Sequence, residues 1–160
     1  MANTQSMCTS FMGQLLTATH NFGTAPTRGT SAADTFKAAL YTTTASPAIN
    51  AATTAYSATG EVSGTGYTAG GVTVTNATAP TSTNSSSTAG VAYWTPSANL
   101  VYTTVTLTTA FDTVLIYNSS QSNAAVSVHT FGSQTITAGT FTLTMPSNTT
   151  STALLRLSTT

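Results

Sequence analysis

The sequence predicts an all-β protein: a β-sandwich, jelly-roll-like, carrying a short N-terminal helix and arm. Three observations lead there. From Asp34 onward apolar residues recur at every second position, which is the period of a strand. Threonine fills many of the intervening positions, where its branched Cβ suits a pleated surface and its hydroxyl faces water. Clusters of Gly, Pro, Asn and Ser separate the alternating segments, as turns do.

The first segment departs from this pattern. Cys8, Phe11, Met12, Leu15, Leu16, Thr19 and Phe22 fall at three- and four-residue spacings and predict one face of a helix. Thr9 or Ser10 would cap its start, and Gly23 would end it in a left-handed turn. An arm from Gly23 to Ala33 follows. So short and apolar a helix needs a surface to lie on. It packs on its own domain or docks on a partner, and residues 1–33 are read as a contact segment ahead of a sandwich at 34–160.

Strands are expected in order after Asp34. Phe36, Ala38 and Leu40 oppose Lys37, Ala39 and Tyr41. Val72 and Val74 alternate with threonine, as do Val101, Val105 and Leu107, and later Phe141, Leu143 and Met145. Val114-Leu-Ile-Tyr117 is a continuous apolar run, the mark of a strand covered on both faces. Val126 and Val128 oppose His129 and Phe131, and Leu154–Leu157 gives a last strand. Asn118–Asn123 and Pro146–Thr149 read as turns. Thr42–Gly71 and Thr81–Gly90 read as long loops, natural contact or surface segments.

Charge narrows the function. Of 160 residues only 4% are charged, against about 25% in a typical domain. Three basic and three acidic residues cancel to zero net charge. Nucleic-acid binding draws on many cations meeting phosphates, and a polybasic membrane anchor needs a cluster, so neither partner is expected. Zero net charge also favours self-association. Cys8 is the lone cysteine, so no disulfide framework forms within the chain. Residues 1–9 lack the basic start and apolar run of a secretory signal, which points to synthesis in the cytosol.

Catalytic chemistry finds few candidates. A serine triad would draw on His20, His129 and three carboxylates, with no nucleophile elbow in the sequence. Asp34 and Asp112 read as residues that open strands. Cys8, His20 and His129 lack ligand spacing, so no metal and no cofactor are expected. Glu61–Gly71 is glycine-rich but lacks the lysine and following helix of a phosphate loop. His129 shares a strand face with Ser127 and Phe131 and reads as a hydrogen-bonded structural residue. Trp94 and Tyr93 fill the core or a subunit contact. The recurrent Thr-x-Thr pairs could order water on a flat face, but no fixed repeat builds one and a sandwich twists.

Several stretches resemble a family of small virion structural proteins of tailed bacteriophages. They are Cys8-Thr-Ser-Phe-Met-Gly-Gln-Leu-Leu16 with His20-Asn-Phe22, Asp34-Thr-Phe-Lys-Ala-Ala-Leu-Tyr41, Thr54–Gly71, Tyr117–Asn123, Gly139–Pro146 and Ala153–Leu157. The resemblance covers most of the chain and lies in its overall pattern. It implies a non-enzymatic cement or decoration protein on the capsid exterior, made in the host bacterial cytoplasm and carried on the virion. Its partner would be the major capsid protein, and it would act as a homotrimer. Under that implication Phe11, Met12, Leu15, Leu16, Phe22 and Arg28 are the expected partner contacts. The alternative is a receptor- or carbohydrate-binding tip or fibre module, for which Tyr56, Tyr67, Tyr93 and Trp94 would supply the aromatic platform.

Overall fold

The computed structural model describes residues 2–16, 18–23, 33–76, 78–83 and 90–158. Among these described residues eight strands and one helix follow in the order β1 (Ser6–Met7), α1 (Thr9–Leu16), β2 (Phe36–Thr42), β3 (Val72–Thr73), β4 (Thr81–Ser82), β5 (Val91–Trp94), β6 (Leu100–Asn118), β7 (Ala124–Leu143) and β8 (Leu155–Ser158). Two antiparallel sheets result, of order β1-β7-β6-β2-β3 and β4-β5-β8. The all-β class follows directly.

The strands differ from the expected set in one large way. Four short segments merge into the hairpin of β6 and β7, 19 and 20 residues long. No proline interrupts the chain between Pro96 and Pro146, so nothing removes a ladder donor along it. Where the register fails, bulges absorb the extra residues, and the breaks fall between Tyr102 and Val105, Val105 and Leu107, Leu107 and Phe111, Phe111 and Thr113, and Ile116 and Tyr117. Thr104 and Ala138 sit in bulges with φ of 52° and 48°. The turn at 119–123 stands where the sequence placed it. The Asn118 side chain accepts from the Ser120 N–H, and Ser122 and Asn123 take left-handed φ of 51° and 57°.

The apolar run Val114–Tyr117 is buried throughout, as a doubly covered strand should be. Strand alternation divides the residues of β2 between the two faces. Phe36 faces an aromatic cluster: Phe22 stacks on it with centroids 4.2 Å apart, and Trp94 meets Phe22 edge-on at 4.7 Å. Tyr41 lies on the opposite face, where the long loop 43–71 closes over it. There the Tyr41 hydroxyl donates to the Ser57 carbonyl at 2.6 Å, and Tyr56 stacks on Tyr117 at 4.7 Å. Trp94 of β5 and Leu155 of β8 belong to the same core as the five-stranded sheet.

Helix α1 starts at Thr9, which places its cap position at Cys8 rather than at Thr9 or Ser10. It ends before Gly23, and Ala18 supplies the left-handed residue beyond it, with φ of 52°. Thr81 and Ser82, expected in a loop, form β4. Asp112 lies within β6 rather than at its start, accepting from Asn3 Nδ2 at 3.3 Å and from the Thr113 hydroxyl at 2.7 Å.

Candidate contact surface and its support

The residues expected to touch a partner separate into two groups. Phe11 and Phe22 are buried in the core, at 2% and 8% exposure, and Cys8 is fully buried beside them. Most of their apolar surface packs in the chain's own core, and what is left of both phenylalanine rings lines the apolar groove beside α1. Met12 is 49% exposed and Leu15 is half-buried against the core. Arg28 and the side chain of Leu16 lie outside the described residues. What α1 leaves open adjoins a shallow apolar groove of about 110 Å³, lined by Met7, Leu15, Ala92, Tyr93, Leu155 and Leu157 among others. Leu157, at 43% exposure, stands on its rim.

The segment that follows α1 is held by a buried polar latch. His20 Nδ1 accepts from Asn118 Nδ2 at 3.0 Å, while Nε2 meets Gln14 Oε1 at 2.8 Å. Asn118 has no acceptor free at that nitrogen, so Nδ1 is bare and the proton sits on Nε2. The same Asn118 amide donates to Asp34 Oδ2 at 2.7 Å, and Asp34 also accepts from the Asn21 N–H and from Gln121 Nε2. Asp34 therefore ties both ends of the arm to the β6–β7 turn. Phe11, 4.9 Å from the His20 ring, packs beside the latch.

Both histidines are held neutral. Burial lowers the His20 pKa, with Asp34 pulling the other way, and burial pushes His129 down to about 4. His129 Nε2 lies 2.9 Å from the Ser127 hydroxyl, which is buried and serves the strand. The unfolded chain takes up protons on these rings at a higher pH than the folded chain does. Their contribution to stability is thus full above pH 6.5 and is lost as the pH falls toward about 4. The melting temperature is expected to drop across that window, and H129Q should flatten the drop. An unchanged slope in that variant would assign the acid sensitivity elsewhere.

Sequence reasoning missed the organiser of the long loop. The half-buried Glu61 carboxylate accepts from the Tyr56 and Tyr67 hydroxyls, each at 2.7 Å, and from the Gly70 N–H at 2.8 Å. Tyr67 accepts in turn from the Leu40 N–H, and the Tyr117 hydroxyl donates to the Gly70 carbonyl. Burial raises the pKa of Tyr67, with its bond to Glu61 adding to the shift, and burial raises Tyr117 to about 12. These phenols stay protonated as donors at neutral pH. The local signal was one acid flanked by two tyrosines in a chain nearly without charge.

This network also answers where the aromatic platform residues lie. Tyr56 and Tyr67 spend their hydroxyls on Glu61, and their rings stack on Tyr117 and Tyr102. Trp94 is 3% exposed and donates its indole N–H to Asn76 Oδ1 and the Thr78 carbonyl. Tyr93 and the edge of Trp94 border the apolar groove, and Tyr67 borders a separate polar pocket beside Val101 and Thr103. Nor do the threonines of β6 and β7 form a flat ladder. The bulges at Thr104 and Ala138 interrupt the rows containing Thr106, Thr135, Thr137, Thr140 and Thr142.

Among the described residues no group of three or more His, Cys, Asp or Glu is placed to hold a metal. No described helix is long and apolar enough to cross a membrane. Fold and surface together define an all-β protein of two antiparallel sheets that binds most of its aromatic and ionisable groups into its own structure. Compared with family models, curated proteins and solved structures, the chain matches none.

Proposed function

We propose that this chain is a virion structural protein, a cement or decoration subunit on the capsid exterior of a tailed phage. The observation that carries the reading is the internal commitment of its chemistry. Tyrosines, tryptophan, Glu61, Asp34 and His20 hold loops and arm in place and His129 pairs with Ser127 on its own strand, which leaves a surface of hydroxyls, main chain and a small apolar groove. Such a body suits shape-based attachment, where many weak contacts act together. The sequence resemblance points the same way, with the major capsid protein as partner and a homotrimer as the attached form. In this reading the two sheets are the layers of a jelly-roll-like sandwich.

The capsid contact is assigned to the open side of α1 and the groove beside it, with Met12, Leu15 and Leu157 in place of the buried phenylalanines. The test is to add purified protein to particles that lack it and to follow heat-induced genome release. Wild type should bind and raise the release temperature. M12D/L157D should fold with an unchanged melting temperature yet bind at least about tenfold more weakly, the effect of losing roughly 1.4 kcal/mol or more of apolar contact. Binding to a glycan array without attachment to particles would instead establish the receptor-binding alternative.

A further inference from the structure

The β6–β7 hairpin extends beyond β2 as a two-stranded ribbon, and its two outer edges are treated differently. Loop residues cover the β6 edge. The Thr106 N–H donates to the Thr65 carbonyl at 2.9 Å, and Gly64 and Gly66 lie so close to Thr106 and Thr104 that no side chain would fit. The β7 edge has no such cover. β1 pairs with β7 only at Ser127 and Val128, and the Thr130 N–H meets the Gln5 side chain at 3.4 Å. Among the described residues, nothing outside β6 bonds to the main chain of residues 133–143.

An unpaired strand edge is a row of main-chain donors and acceptors that a further strand can join. Proteins usually blunt such an edge with lysine, inward charge or proline. Residues 124–143 contain no proline and no charged side chain. A register break between Thr130 and Gln134, with Gln134 Nε2 donating to the Gly132 carbonyl, bounds the open stretch, and the bulge at Ala138 splits it into about 134–137 and 139–143, each close to the length of an ordinary strand.

From these observations we infer that the outer edge of β7 pairs with a strand of a second copy of this chain. The composition favours a second copy as the occupant: net charge zero sets no repulsion between copies, and each copy brings uncharged threonine-rich strands to an edge that carries no charge. Thr135, Thr137, Thr140 and Thr142 then supply cross-strand threonine contacts. Pairing of β7 with β7 closes as a dimer, and pairing with another edge permits a ring of three. The inference deepens the proposed homotrimer by naming the edge that joins its copies, and its failure would leave attachment to a capsid untouched.

The test uses the full chain in two measurements. Light scattering should give a mass of two or three times 16.2 kDa. T135K/T140K on β7 should reduce it to the monomer, whereas T103K/T108K on β6, whose edge is covered, should leave it unchanged. Amide hydrogen exchange in residues 133–143 should slow by at least about tenfold as concentration rises through the association range. That second result stands even if the β7 variant fails to fold. A monomer at every concentration, or an oligomer in which these amides exchange as fast as in the monomer, would overturn the inference. Dissociation by the β6 pair but not the β7 pair would overturn it as well.

Discussion

A chain that begins at Asp34 is expected to lose cooperative unfolding altogether. The sequence reading set residues 1–33 apart as a contact segment ahead of a sandwich at 34–160, and the packing makes residues of that segment part of its core. Cys8, Phe11, His20 and Phe22 are all buried, and Phe22 stacks on Phe36 and meets Trp94 edge-on. Truncating one buried phenylalanine to alanine typically costs about 3–5 kcal/mol, and whole domains are stable by only about 5–15 kcal/mol. Losing both rings, the β1 pairing and the latch at Asn118 removes more than that margin. The measurement is a thermal melt followed by near-ultraviolet circular dichroism, with the single variant F22A as an intermediate case. A sharp melt for 34–160 would show that the arm is an adjunct after all, and would return Phe11 and Phe22 to the list of possible contacts.

Gly71→Ala should be nearly as damaging from a single methyl group. Gly71 has φ of 73°, in the left-handed region, and a Cβ there would overlap the Ala38 carbonyl and crowd Ala39 Cα at 2.8 Å. Both obstacles are main chain of β2, an inner strand paired on both sides, so neither can swing aside. The loop would have to lift, taking with it the Gly70 N–H bond to Glu61 and the Tyr117 bond to the Gly70 carbonyl. A loss of about 4 kcal/mol or more in denaturant unfolding is expected, in the range reserved for overpacking and strain at a special φ. Gly132→Ala is the control, because a Cβ there meets only the end of the Gln134 side chain at 4.0 Å. It should change stability by less than about 1 kcal/mol. Equal effects from the two substitutions would mean that Gly71 is not a fixed point of the loop.

Much of the fold was legible because it follows short periods. The alternation of Phe36–Tyr41, the continuous run Val114–Tyr117 and the turn at 119–123 each carry a local signal, and each is found. The merging of strands was not legible, since bulges preserve pairing through residues whose own pattern reads as a break. The three-four spacing of Phe11, Met12 and Leu15 fixes a helical face without saying what covers it, and the same spacing runs on to Phe22, which lies beyond the end of α1. Only the tertiary packing shows Phe11 and Phe22 turned inward and Met12 outward. Glu61 was invisible for a different reason. Its partners at Tyr56, Tyr67 and Gly70 meet through loop geometry, and loop geometry has no period.

The pairing of β1 with β7 also sets an order of events during synthesis. Ser6 and Val128 are neighbours in the sheet, and Asn3 reaches Asp112. Residues 3–7 leave the ribosome long before their partners and therefore have no seat until the far strand of the hairpin has emerged. Helix α1 is too short to hold its shape alone in the meantime. The β6–β7 hairpin, closed by a short turn, loses the least chain entropy on forming and gives the earlier segments a surface to return to. Until then Phe11 and Phe22 ride exposed on a nascent chain with almost no charge to keep it apart from its neighbours.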